Sequence, residues 1–506
     1  MCAGLVVVDQ ESAIIRFVHY TTQEYFERIR DSWDPDTRLY IASTCIAYLS
    51  FNIFKTGSCS SDREFEERLQ DNPFLDYAAK HWGEHAAMAE DQICELACSF
   101  LSHDKSVSCA IQVLLCPSYK YRYYSQKYPK DSTGWHLAAR FGLPIVLEAI
   151  LPNQVRERAL ALERRDSYDQ PVLYLAAEHG HQRIVKLLLD AGANVNAQSR
   201  RYYGDALQAA SYGGYEQVVK LLLDAGADVN AHGDYGNALY TASLGGYEQI
   251  VRLLLDAVAD VNAQGGYYGN ALQAASLGGY EQVVKLLLDT GADVNAQGGY
   301  NGNALQAALS RGHEQVVKLL LDAGADVNAQ GGRYGNALQA ASYGGYEQVV
   351  KLLLDVGADV NAQGGRYGNA LQAASLGGYE QVVRLLLDTG ADVNAQGGRY
   401  GNPLQAASYG GYEQVVKLLL DKGADVNAPG GEYGNALRAA SLGGYEQIVR
   451  LLLDKGADVN AQDGDFGNAL RAASYRGHEQ VVKLLLDAGA DANAQGGTYG
   501  NALYAA

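Results

Sequence analysis

The chain has 506 residues, a formal net charge of −18, 57 glycines, 36 tyrosines and seven cysteines. Such acidity argues against a general nucleic-acid binder or an anionic-membrane binder, because both need Lys and Arg to neutralise phosphate. No apolar run approaches the roughly 18 residues of a membrane-crossing helix, and MCAGLVVVDQESA lacks the basic start of a signal peptide.

The first elements in chain order are two short strands, Leu5–Val8 and Ile14–Val18, joined as a hairpin through Asp9 to Ser12. Thr21 or Thr22 can cap a helix running through Glu24 and Ile29. Further helices are expected over 36–51, 62–69, 74–89 and 92–101. All seven cysteines fall between Cys2 and Cys116, unlike a secreted disulfide scaffold, so a reducing cytoplasmic setting is expected, with the nucleus also open.

From Thr133 onward the chain repeats itself. GNALQAASLGGYEQVVKLLLDTGADVNAQGGY starts at Gly269, and near-copies follow every 33 residues, at Gly302, Gly335, Gly368, Gly401, Gly434 and Gly467. Looser copies start at Gly204 and Gly236, another contains Leu173, and a divergent one opens the series at Thr133–Leu151. Each unit reads as two helices and a loop. Asn270 caps a first helix with a small Ala face, Gly278-Gly279 breaks it, and Glu281–Asp289 forms a second. Val283, Val284, Leu286, Leu287 and Leu288 cover most of that second helix, with Lys285 left on the solvent side, so neighbouring units must cover it. Gly291 suits a left-handed C-cap, and the polar stretch Asn295–Gly302 projects as a turn.

These units resemble the ankyrin repeat, with its TPLH-type helix start, Gly-His pair and V-x-x-LLL-x-x-GAD-x-N run. The resemblance covers residues 131–506 with eleven units and implies a mainly α solenoid. The departures are NALQ for TPLH, Pro surviving only at Pro403, Gly-Tyr for Gly-His except at His313 and His478, and Tyr334, Tyr367, Tyr400, Tyr433 and Phe466 before the inner helix where the family carries Gly. Val258 stands where neighbouring units have Gly, in an expected left-handed site. The chain stops at GNALYAA, inside the first helix of a twelfth unit, from which a truncated array is expected.

Residues 1–130 differ. IIRFVHYTTQEYF and NPFLDYAAKHWGEHA resemble the region joining the NTPase domain to ankyrin tails in fungal NACHT-type, NOD-like receptor proteins. The resemblance implies a partial winged-helix segment (1–30) and a helical connector (31–130) ahead of the array (131–506). The P-loop string G-x-x-x-x-G-K-[ST] of such NTPases does not occur, so this chain cannot hydrolyse nucleotide by that route.

Little in the chain suggests catalysis. His81-Trp82-Gly83-Glu84-His85 matches H-x-x-E-H, where two His bind zinc and the Glu acts as base. It stands here as the alternative reading, a zinc-dependent hydrolase, against a buried aromatic helix. Cys94 and Cys98 share a helix face but read as core. No G-x-S-x-G elbow appears, and neither a cofactor nor a metal is expected. The variable positions are more informative. One column, at the inner-helix end, reads Tyr212, Leu244, Leu277, Ser310, Tyr343, Leu376, Tyr409, Leu442, Tyr475 and, as the resemblance implies, faces the concave groove. A second, at the loop tips, reads Tyr267, Tyr300, Arg333, Arg366, Arg399, Glu432, Asp465, Thr498. Variation confined to such columns is either a graded recognition surface or drift at exposed sites. Tyr and Arg dominate protein–protein hot spots, so the expected function is a non-enzymatic protein-binding module. It would be the sensor or scaffold arm of a receptor system, whose partner could include an NTPase signalling protein. A gene product with no ligand of its own is the remaining alternative.

Overall fold

The computed structural model describes residues 6–9, 14–17, 35–200, 204–462 and 467–494. The chain divides into two compact units, 1–228 and 229–506.

In the first unit, β1 (Val6–Asp9) and β2 (Ile14–Phe17) pair antiparallel with Val6 opposite Phe17, the expected hairpin shifted by a residue. The helix expected around Glu24–Ile29 lies outside the described residues. Then follow α1 (Pro35–Leu49), α2 (Asp62–Asp71), α3 (Leu75–Ala87), α4 (Glu90–Leu101) and an unforeseen α5 (Asp104–Leu115). Trp82 on α3 is fully buried, edge-on to Phe100 of α4 and to Phe141, with ring centroids 5.4 and 5.2 Å away. The Phe141 ring lies directly on Gly83, leaving no room for a Cβ. Phe141 ends the first helix of the repeats, so α3 packs straight onto the array's first member. The sequence HWGEH is thus first of all a docking face.

Among the described residues eleven helix pairs follow, from Gly134–Phe141 with Pro144–Ile150 to Ala469–Tyr475 with Glu479–Asp487. Three pairs belong to the first compact unit and eight to the second. The chain is a mainly helical repeat array.

The pairs that start at Asn270, Asn336, Asn369 and Asn402 are built the same way. Asn270 Oδ1 accepts from Gln273 N at 2.9 Å, and Gln273 Oε1 accepts from Asn270 N at 2.9 Å, a reciprocal cap. Gln273 Nε2 then donates to Ala296 O (2.9 Å) and Gly302 O (3.2 Å) in the following repeat. That explains NALQ in place of TPLH: one buried amide caps its own helix and ties down the next loop, leaving few of its groups without partners. Gln306, Gln339, Gln372 and Gln405 tie down the next loop in the same way.

The outer helix buries Val283, Val284 and Leu287 and leaves Leu286 and Leu288 half-covered, a narrower apolar stripe than the sequence suggested, with Lys285 exposed as expected. A second tie runs along the opposite side of each joint. Asn262 Oδ1 accepts from Asp293 N at 2.7 Å, and its Nδ2 donates to Gly291 O at 3.2 Å. The same double bond recurs at Asn295, Asn328, Asn361, Asn394, Asn427 and Asn460.

Val258 has φ 64°, beside 92° at Gly291 and 86° at Gly324, its counterparts. Nothing lies within 4 Å of a Cβ at those glycines, so the defect is one of backbone conformation and not of crowding. A left-handed L-residue costs about 1–2 kcal/mol, partly offset because Gly loses roughly 0.5–1 kcal/mol more on folding. Val258→Gly is therefore expected to raise the melting temperature, with a net gain of about 0.5–1 kcal/mol. A lower or unchanged midpoint would contradict the geometry.

Candidate protein-interaction surface

The loop tips of the second unit are short turns closed by paired glycines: Gly298 N donates to Gly302 O at 2.7 Å, and Gly331, Gly364, Gly397 and Gly430 repeat the bridge. Successive tips are also joined to one another. Tyr300 N donates to Tyr267 O (3.1 Å), Arg333 N to Tyr300 O (3.3 Å), Arg399 N to Arg366 O (3.2 Å) and Glu432 N to Arg399 O (3.0 Å). Backbone bonds therefore hold the tip column as two runs, Tyr267–Tyr300–Arg333 and Arg366–Arg399–Glu432.

The side chains follow the ladder. Tyr267 and Tyr300, both exposed, stack at 5.3 Å with their planes 22° apart. The Arg333 guanidinium lies 5.8 Å from the Tyr300 ring centre and 5.7 Å from that of Tyr334, and its Nη1 donates to Tyr300 Oη at 2.9 Å. Arg366 is exposed and makes no ion pair among the described residues. Arg399 Nε donates to Glu432 Oε2 at 2.6 Å, so these two charges largely cancel. An exposed pair of this kind adds little to stability; its main effect is to remove a free cation from the file. Asp465 lies outside the described residues.

The inner-helix column behaves in two ways. Tyr212, in the first unit, and Tyr475 are exposed. Tyr343 and Tyr409 instead stand half-buried within aromatic triads. Tyr343 stacks on Tyr367 at 4.4 Å and leans on Tyr334 at 5.8 Å; Tyr409 stacks on Tyr433 at 4.2 Å and leans on Tyr400 at 5.6 Å. Burial, together with the hydroxyl bond to Tyr343, pushes the Tyr367 phenol well above the ordinary range, and Tyr433 is raised in the same way beside Tyr409. Both therefore remain neutral hydrogen-bonding groups. Tyr334, Tyr367 and Tyr400, standing before the inner helix where the family carries Gly, are all buried. They join the two columns, since Arg333 lies over Tyr334 and Tyr334 meets Tyr343. The sequence carried a signal for this, the alternation Tyr343, Leu376, Tyr409, Leu442, Tyr475, which places one triad every second repeat.

The alternative centre on α3 gathers less. His81 Nδ1 is 3.4 Å from Glu84 Oε2, while His85 Nε2 is held by Tyr77 Oη at 3.1 Å. Burial lowers the His85 pKa, and the charge of His81 adds to that. Among the described residues no group of three or more His, Cys, Asp or Glu is placed to hold a metal ion. Cys94 and Cys98 have their sulfurs 3.8 Å apart, and burial pushes the Cys98 thiol up to about 11, the opposite of an activated thiolate.

Family comparison agrees with this architecture. The model described as "Ankyrin repeats (3 copies)" matches residues 199–265, 272–364, 304–397, 337–430, 370–463 and 406–496, and "Ankyrin repeats (many copies)" matches 173–223. The chain belongs to the ankyrin-repeat family. Ankyrin repeats indicate a protein–protein interaction module, and proteins built from them are in general not enzymes. The matches cover more than half of the chain but none of residues 1–172. No curated protein matches the sequence. Among the described residues no helix is long and apolar enough to cross a membrane.

Proposed function

We propose that this ankyrin-repeat chain is a non-enzymatic binding module that holds a protein partner on the tip ladder and the tyrosines beside it. It would act in the cytoplasm as the sensor or scaffold arm of a fungal NOD-like receptor system. In that reading residues 1–30 are part of a winged helix and 31–130 a connector that passes occupancy to a signalling partner, an NTPase in another polypeptide. The observation that carries the proposal is the file Tyr267–Tyr300–Arg333, in which backbone bonds and stacking hold exposed hot-spot side chains in place. Side chains already ordered lose little entropy on binding.

The test is affinity capture from native lysate with wild type and with Arg333→Glu combined with Arg366→Glu. Arg399 is left intact, because a carboxylate there would face Glu432 and disturb the ladder itself. A protein retained by wild type and lost by the double variant supports the proposal. Equal capture by both baits, with circular dichroism confirming the fold, would refute it.

A further inference from the structure

The array's first joint differs from the rest. From the capping position Thr133 to Pro171 the chain takes 38 residues, where Asn270 to Asn303 takes 33. The extra length forms a helix, Val155–Leu162, that the later described repeats lack. Insertions into repeat arrays tend to build onto a binding face. Here the inserted helix closes one side of a cleft of about 460 Å³ between the outer helices Pro144–Ile150 and Gln182–Asp190.

Arg158, Arg183 and Lys186 line the cleft together with Glu148, Asp190 and Leu187. Three cations thus converge in a chain whose net charge is −18. Arg158 is fixed, its Nε donating to Pro152 O at 3.0 Å. Arg183 and Lys186 are exposed, one turn apart on the same helix, and neither makes an ion pair among the described residues, although Glu90 is within electrostatic reach of Arg183. Exposed apolar groups stand nearby: Ile145 lies one turn before Glu148 on its helix, and Val155 one turn before Arg158.

This lining selects a chemistry. A phosphate-sized anion seated among the three cations would also meet Glu148 and Asp190. A peptide segment can set an acidic side chain against the cations while its backbone N–H groups face the two carboxylates, with an apolar neighbour over Leu187. The volume is that of an ordinary ligand cleft, typically about 300–1,000 Å³. We propose that this cleft is a second binding site, separate from the loop tips, for a protein segment carrying an acidic residue beside an apolar one.

The experiment pans a phage-displayed library of random dodecapeptides on the full chain. The recovered peptides are expected to be enriched in Asp and Glu beside apolar residues. Their affinity should fall at least about tenfold for Arg183→Glu combined with Lys186→Glu, and fall with added salt. Both residues are exposed, and an unchanged melting curve confirms that the variant folds. Arg333→Glu with Arg366→Glu, in the other compact unit, should leave binding unchanged. Failure to recover acidic peptides, or equal affinity for the Arg183/Lys186 variant, overturns the proposal.

Discussion

Replacing His136 by Gln is expected to remove an acid-sensitive contribution of about 3 kcal/mol from the first repeat. His136 is buried, and its Nδ1 bonds with the backbone N (3.1 Å) and the Oγ1 (2.8 Å) of Thr133 at the helix start. Burial pushes its pKa down from 6.5 to about 4, and the charge of Arg164 acts in the same direction. Between those values the unfolded chain holds a proton that the folded chain refuses. The stabilisation is therefore complete above pH 6.5 and is lost as the pH falls from there through about 4. Gln is the natural control because Gln273 and its equivalents already make this cap in later repeats. Urea unfolding of wild type and His136→Gln at several pH values should show curves that converge or cross as the pH falls. Parallel curves over that range would show that the imidazole does not carry the acid sensitivity.

A second large effect is expected where the sequence reads Gly-Gly-Tyr. The ring of Tyr346 covers its own Gly344, where an added Cβ would lie 2.2 Å from Cε2, and also Gly312 of the preceding repeat. Alanine at 344 would favour helix by about 1 kcal/mol, yet the overlap costs about 1–3 kcal/mol, so Gly344→Ala should destabilise. The chain itself shows the escape. Wherever His replaces the Tyr, the first glycine is free to change: Arg311-Gly312-His313, Arg476-Gly477-His478 and a third Gly-His pair beyond the two exceptions named above, His179-Gly180-His181. All seven Gly-Tyr repeats keep both glycines. The smaller ring also bonds backward, His313 Nε2 to Leu277 O at 3.1 Å and His478 Nε2 to Leu442 O at 3.2 Å. In a Tyr346→His background the cost of Gly344→Ala should fall by about 1–2 kcal/mol in a double-mutant cycle. An additive cycle would mean that the ring does not dictate the glycine.

Most of the fold was legible because each feature is written many times over. The period, the Asn cap, the Gly-Gly break and the left-handed turn at Val258 all stand at their expected places. The helix Asp104–Leu115 was missed for a physical reason. Its buried face includes Gln112, whose amide bonds Cys59 N (2.7 Å), Cys59 O (3.0 Å) and Ser125 O (3.0 Å), so a polar residue breaks the apolar pattern that sequence reading relies on. The candidate surface was legible as columns and not as contacts. Arg399 and Glu432 looked like a change of sign along the tips, while in space they neutralise each other. Tyr334 and Tyr367 looked like loop residues, and their burial depends on Tyr343, placed between them by stacking that no single repeat displays. Contacts across a joint join residues about 33 apart, beyond the reach of local pattern.

The ties made by Asn262 through Asn460 have a consequence for how this surface can change. Every joint in that stretch uses the same pair of bonds, so the repeats are interchangeable couplings. Excising or duplicating 33 residues would bring an Asn to an Asp and a Gly that it already fits. Removing the repeat that carries Arg333 would set Tyr300 beside Arg366, and removing the one that carries Arg399 would set Arg366 beside Glu432. Copy number alone can thus rewrite the order of side chains offered to a partner, while the bonds that hold the array together carry none of that lettering.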